Sequence, residues 1–405
     1  MTGDVVVTGL GVTAPNGIGA DEYWGASLRG EPGIGPITRF DTDGYAVGVA
    51  GEIPVCAAEQ ELPERLMPQS DRTTRLALVA ADEALQDAAV KPGDLPEYAM
   101  GVVTASTSGG LEFGQRELQK LWGQGWEHVS AYMSFAWYYA VHTGQISIKN
   151  GMRGPGGVLA SEQAGGVDTL AFARRKIRAG TAVMVAGGVD GTLCPYGLAI
   201  QAASGELSAR TEPEAAYLPF DRDASGCVPG EGGAILIAES RADAEARGAP
   251  RVYGAIAGCG SAFDPEPGCA DGLLRAARAA LADAGVPADA VDAVFADAAG
   301  VPHLDRAEAA MLARLFGPRG VPVTAPKSMT GRLLSGGAAL DIATALLSLR
   351  DGAIPPTANV DGDRVDERLD LVTGGPRHGR VGTVLVLARG RGGFASAAVL
   401  TQPPS

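Results

Sequence analysis

Short runs of Val, Ile, Leu and Ala, bounded by glycine or turn residues, alternate along the chain with longer segments whose apolar positions fall at helical spacing. Val5–Thr8 reads as a buried strand and Asp21–Leu28 as a short helix. The stretch from Arg29 to Pro68 reads as loop with an edge strand near Ala46–Ile53. Asp71 is placed to cap a helix over Arg72–Ala89, apolar at Leu76, Val79, Ala80 and Leu85 and ended by Pro92-Gly93. A strand at Met100–Thr104 leads into a small-residue loop, Ser106–Gly110, that opens a helix from Leu111 to about Trp122. Val158-Leu159-Ala160 predicts a short buried strand, Ser161–Gly166 a tight turn, and Val167–Arg178 a helix with Leu170, Ala173 and Ile177 facing inward. Its last turn is crowded with cations, which suit the helix dipole there. Ala182–Ala186 is a second buried strand.

The second half echoes the first. The helix from Gly272 to Val286, Pro287 and the strand in VDAVFADAAG repeat the order seen around Arg72–Thr104. VPVTAPKSMTG plus a helix from Gly337 to Arg350 echoes the strand, turn and helix around Ser161, and AILIAES is matched with GTVLVLARG at Gly382–Gly390. Self-similarity in one order over about half a chain implies duplication, with halves at 1–248 and 249–405. Alternating helices and Val-rich strands imply an α/β fold with mixed sheets covered by helices.

Composition narrows the function. Hydrophobic residues make up 46% of the 405, enough for a full core. A net charge of −14 excludes nucleic acid and anionic membranes as general partners. It also means that an acidic partner would need a local basic patch or another subunit to dock. MTGDVVVTGL lacks the basic and continuous apolar segments of a signal peptide. No run approaches the ~18 apolar residues of a membrane span. The cysteines at 56, 194, 227, 259 and 269 are odd in number and without CxxC spacing, which fits a reducing cytoplasm; Cys227 and Cys259 read as small buried residues. The histidines at 128, 142, 303 and 378 share no ligand spacing, so neither a metal nor a cofactor is expected. Seven aromatic residues crowd the stretch from Trp122 to Tyr139, as a core plug or as a subunit interface.

The strand, sharp turn and helix around Ser161 form the elbow on which hydrolases and acyltransferases present a nucleophile. Its tip here is Gln163, whose carboxamide has no nucleophilic lone pair and no proton to lose near neutral pH. Taken alone, Gln163 also reads as a turn-capping amide.

SEQAGGVD, followed by LPFDRDASGCVPGEGGAILIAE and PKSMTGRLLSGGAALD, resembles the chain length factors of bacterial aromatic (type II) polyketide synthases. These are ketosynthase-like subunits that pair with a true ketosynthase. The resemblance runs from VVVTGLGVTAPNG to LARGRGGF and implies a thiolase-like, duplicated, five-layer αβαβα fold. In catalytic relatives a Cys at the elbow holds the acyl chain and two histidines handle decarboxylation and the enolate. The matching positions here are Gln163, Asp297 (aligned on Asp305 and Glu308) and Arg332, with Lys327 retained, so no catalytic residue is expected. His303, six residues past the matching position, reads as a loop histidine.

The resemblance implies a heterodimer with a Cys-bearing ketosynthase, served by an acyl carrier protein whose phosphopantetheine arm reaches the partner. It also implies a tunnel at their interface for the poly-β-ketone. The tunnel positions are Leu111, Gly114 and Leu118, one face at helical spacing, with Tyr196 at a gate position. Two aliphatic residues and a glycine leave room for a long chain, a decaketide or larger; Gly114 also fits a simple close approach of another backbone. Phe394 belongs to a C-terminal gate loop near the elbow, although Ala395 departs from the Asn often found after it. PFDRD and Gly230-Glu231-Gly232-Gly233 fit loop shaping around the elbow or pure turn geometry. Two other readings stay open: a Gln-type malonyl-carrier-protein decarboxylase, and a homodimeric thiolase-like scaffold without a tunnel.

Overall fold

The computed structural model describes residues 4–403 apart from 55, 56, 61, 265 and 267; Cys56 lies outside the described residues. Strands Val5–Ala14, Gly232–Ser240, Val183–Asp190, Met100–Ala105 and Gly156–Leu159 lie side by side in that order. The first three pair antiparallel and the last two continue in parallel. Gly254–Phe263, Phe394–Thr401, Thr383–Gly390, Ala293–Phe295 and Pro322–Thr324 repeat the same order and the same directions, with Asp370–Leu371 added at the edge. Among the described residues the two sets are hydrogen-bonded to each other at one corner, through the pairs Val6↔Ala255 and Val7↔Gly254.

This topology corrects one pairing made from sequence. Thr383–Gly390 occupies the position of Val183–Asp190, and the counterpart of Gly232–Ser240 is Phe394–Thr401. Strands buried on both faces all read as unbroken Val/Ile/Leu/Ala runs, so composition alone does not say which matches which.

Three apolar clusters account for five layers. One lies between the two sets of strands, built around the elbow helix Gly165–Arg178 and the central helix Ser335–Asp351. A β-carbon at Gly166 would lie 2.4 Å from the Ala339 nitrogen, so these helices pack backbone to backbone at that point. The central helix is buried on every side from Ser335 to Leu349, which explains its lack of a polar face. The other clusters sit under Arg72–Asp87 on the outside of the first set and under Asp271–Ala284 on the outside of the second.

Some elements differ from expectation. Val49–Gly51 pairs with Ile34–Pro36 in a ribbon of its own, shorter than the edge strand read from sequence. Gly156–Leu159 is half-buried, not buried, and Ala160 is exposed, because the strand ends the sheet with none of the described residues paired outside it. His303 stands exposed in the first turn of helix Pro302–Phe316, not in a loop; Pro302 starts the helix at a position where its missing N–H costs nothing. Cys227 is buried as expected, whereas Cys259 is only partly buried.

Candidate functional site

The elbow is intact in its backbone. Glu162 holds a left-handed φ of 51°, which costs a non-glycine residue about 1–3 kcal/mol. It leads through a 3₁₀ turn into the elbow helix and leaves Gln163 fully buried. The carboxamide lies over Gly337 of the central helix, where a β-carbon would fall 2.5 Å from its Oε1. Neither Oε1 nor Nε2 has a hydrogen-bond partner among the described residues, so Gln163 does not act as a turn cap.

Asp297 follows the strand Ala293–Phe295, and Arg332 follows the turn Pro326–Ser328 that carries Lys327. They meet as a buried ion pair, Arg332 Nη2 to Asp297 Oδ1 at 3.3 Å. Arg389, at the end of Thr383–Gly390, closes the cluster: its Nε lies 3.1 Å from Asp297 Oδ2 and its Nη2 2.9 Å from Glu308 Oε2. Glu308 also accepts the N–H groups of Asp297 and Ala298, while Asp305 accepts those of Phe220 and Gly300. The Asp-x-x-Glu pair therefore holds the loop that aims Asp297. Lys327 is turned away from this pair and bound to Asp341 at 2.8 Å and to the Ala296 carbonyl.

Burial pushes the Asp297 carboxyl up, but the guanidinium of Arg332, then Arg389 and Lys327, more than offset this and hold it near 2. At Asp305 burial prevails and lifts the carboxyl to about 7, and burial also raises Glu162. A carboxyl depressed in the folded state contributes stability above its unfolded pKa of about 3.9 and loses it as pH falls through the folded value. Asp297 is therefore expected to contribute about 2 kcal/mol that disappears between roughly pH 4 and pH 2. The raised carboxyls act in the opposite sense at higher pH, so the check is a comparison. Urea midpoints of the parent should fall more steeply from pH 5 to pH 3 than those of Asp297→Asn; parallel slopes would count against the assignment.

Beside this cluster lies a cavity of about 130 Å³ walled by Glu162, Asp297, Arg332, Arg389, Arg391 and Phe394, among others. Gln163 is not on its wall. The turn between Thr383–Gly390 and Phe394–Thr401 packs onto the elbow, with Arg391 N–H donating to Glu162 Oε2 at 3.1 Å. Phe394 stands edge-on to Phe263 with centroids 5.8 Å apart. Glu231 of the Gly-Glu-Gly-Gly run does more than shape a turn: its buried carboxylate binds Arg39 and Arg72 and accepts the N–H of Ile53.

The expected tunnel residues form a second, separate group. Leu111 is half-buried, Gly114 buried and Leu118 40% exposed along helix Leu111–Gln124. Tyr196 is exposed, and its N–H donates to Gln115 on that helix. A β-carbon at Gly114 would find only the Trp137 Cβ, at 3.5 Å, so no other backbone crowds the glycine. The aromatic stretch does not plug the core. Trp122 is 83% and Trp126 74% exposed, and Trp137, Tyr138 and Tyr139 are also exposed. Arg389 was the main residue missed in sequence; a lone arginine ending an apolar strand was its only signal.

Duplicated five-layer packing, with a nucleophile turn at the first half's elbow, defines a thiolase-like condensing-enzyme scaffold whose elbow tip is an amide. Residues 2–244 match the beta-ketoacyl synthase N-terminal domain and residues 253–361 its C-terminal domain. The chain is 57% identical over 400 residues to the actinorhodin polyketide beta-ketoacyl synthase 2 of Streptomyces coelicolor, covering 98% of both. It is 57% identical over 401 residues to the tetracenomycin polyketide synthase ketoacyl synthase beta subunit of Streptomyces glaucescens, again covering 98% of both. The solved ishigamide ketosynthase/chain length factor matches the whole of both chains at a TM-score of 0.92 and 28% identity. The chain belongs to the beta-ketoacyl synthase family, among the beta subunits, or chain length factors, of type II polyketide synthases.

Proposed function

We propose that this chain is the non-catalytic, chain-length-setting subunit of a type II polyketide ketosynthase, bound as a heterodimer to a Cys-bearing subunit that an acyl carrier protein loads. One observation carries the reading. Gln163 sits at the nucleophile position, and the positions of both proton-handling histidines are joined to each other as the Asp297–Arg332 ion pair. A thioester-forming group is needed to hold an acyl chain and release it to a carbanion. Arg332 stays protonated throughout the working pH range and Asp297 stays ionised, so neither relays a proton.

The partner's place is supported by the exposed aromatics around Trp122 and by the open outer edge of Gly156–Leu159. Both are costly to leave in water or unpaired. Leu111, Gly114 and Leu118 at helical spacing, with Tyr196 joined to their helix through Gln115, would wall a tunnel for the poly-β-ketone, roomy enough for a decaketide or longer. Residues 1–248 and 249–405 are read as the duplicated halves. The free thiols at 194, 227, 259 and 269 fit a cytoplasmic location.

The unpartnered Gln163 carboxamide favours a second reading, a malonyl-carrier-protein decarboxylase that primes synthesis. Its burial away from the cavity wall weighs against that role. The purified heterodimer, fed ¹⁴C-malonyl carrier protein, should place label on the partner subunit and none on this chain. This chain alone should release carbon dioxide no faster than buffer. Covalent label here would overturn the first reading; turnover abolished in Gln163→Ala would establish the second.

A further inference from the structure

We infer that Asp71 fixes the position of helix Leu111–Gln124 and thereby sets how far the polyketide extends; the second clause rests on the tunnel reading above. The residue lies far from the helix in sequence and is almost fully buried. Its Oδ1 accepts the N–H and the hydroxyl of Thr73, capping the outer helix Arg72–Asp87. Its Oδ2 accepts the N–H of Phe113 at 2.7 Å, in the first turn of Leu111–Gln124. One carboxylate thus caps two helices far apart in the chain.

The second helix cannot supply this cap itself. Its own N-cap position is Gly110, and a β-carbon there would lie 2.0 Å from the Ala136 carbonyl oxygen and 3.0 Å from Asp71 Cβ. A Ser, Asp or Asn at 110, the usual source of an N-cap oxygen, is excluded by contact with the backbone of the aromatic stretch. The acceptor has to come from elsewhere, and Asp71 provides it. Asp190 secures the approach, accepting the Thr107 N–H at 2.6 Å and the Ser108 hydroxyl at 2.9 Å. Thr107 in turn bonds Ser335 at the start of the central helix. The loop before the helix is therefore tied to the core, and the helix itself is held through Asp71. Asp71 is a positioning residue: it acts on the polyketide only through Leu111, Gly114 and Leu118.

The test uses the co-expressed heterodimer and reads the ratio of off-length to parent-length polyketide at constant total yield. Asp71→Ala removes both caps and is expected to raise that ratio at least tenfold. Ala77→Gly, which weakens only the outer helix, should leave it within twofold. Asp71→Asn, nearly the same size, serves if the alanine variant does not assemble; amide hydrogen exchange at Phe113 then reports whether its acceptor is lost, and the ratio should rise with that exchange. An unchanged ratio in variants with a freely exchanging Phe113 amide, while bulky residues at 114 and 118 do change it, would overturn the inference and leave the tunnel intact. An equal shift in Ala77→Gly would reduce Asp71 to general stability and also overturn it. If substitutions at 114 and 118 change nothing, the tunnel reading itself fails.

Discussion

Asp297→Ala is expected to lower the stability of the chain by about 3–5 kcal/mol, the usual cost of removing one partner from a buried, hydrogen-bonded ion pair. Arg389 keeps Glu308 at 2.9 Å and the Leu304 carbonyl. Arg332 keeps only backbone carbonyls, those of residue 297 itself and of Arg389. Its charge would then sit in a site that is barely open to water, with Glu162 still acting on it across the cavity but no carboxylate bonded to it among the described residues. Replacing both residues, Asp297→Ala with Arg332→Met, should recover most of the loss, because the uncompensated charge goes with its partner. Equilibrium urea unfolding of the parent, the single and the double variant measures both effects. A loss below about 1 kcal/mol in the single variant, in the range of an exposed pair, would show that the cluster is solvated and has not replaced proton chemistry with a fixed bond.

Gly114→Phe combined with Leu118→Phe should shorten the polyketide made by the co-expressed heterodimer, with the parent product falling on the order of tenfold or more. Overpacking a well-filled site costs about 1–3 kcal/mol, and 1.4 kcal/mol is a factor of ten in a partition between two products. The space at Gly114 is bounded by the Trp137 Cβ at 3.5 Å, so a ring placed there must either displace Trp137 or enter the tunnel. Leu118 lies further along the same face and is 40% exposed. Mass analysis of extracts decides the matter; unchanged product lengths with normal heterodimer yield would remove these positions from the tunnel wall.

Much of the elbow was legible in the sequence because its signals are local. A strand, a small-residue turn and an amphipathic helix follow each other within a few dozen residues, and the structure reproduces the helix to within two positions of its expected start. Asp71 was likewise legible as the cap of the helix after it, because an N-cap acts within a few residues. Its bond to Phe113 was not, since nothing local marks a contact 42 residues away. The same holds for Arg389, which reaches Asp297 across 92 residues of chain. The matching of strands between halves failed for a related reason: residues buried on both faces carry no alternation to distinguish one strand from another. The aromatic stretch shows the limit most plainly. Composition allowed a plug or an interface, and only the exposure of Trp122 and Trp126 removed the plug.

By itself the sequence determined that the elbow tip carries an amide, which has no nucleophilic lone pair wherever it points, and it determined the duplicated α/β plan. The tertiary structure decided which charges gather beside the elbow. Asp297, Arg332 and Arg389 become one buried cluster only when strands and turns from separate parts of the second half converge, because charge pairing depends on distance in space and on loss of water, and a linear string records neither.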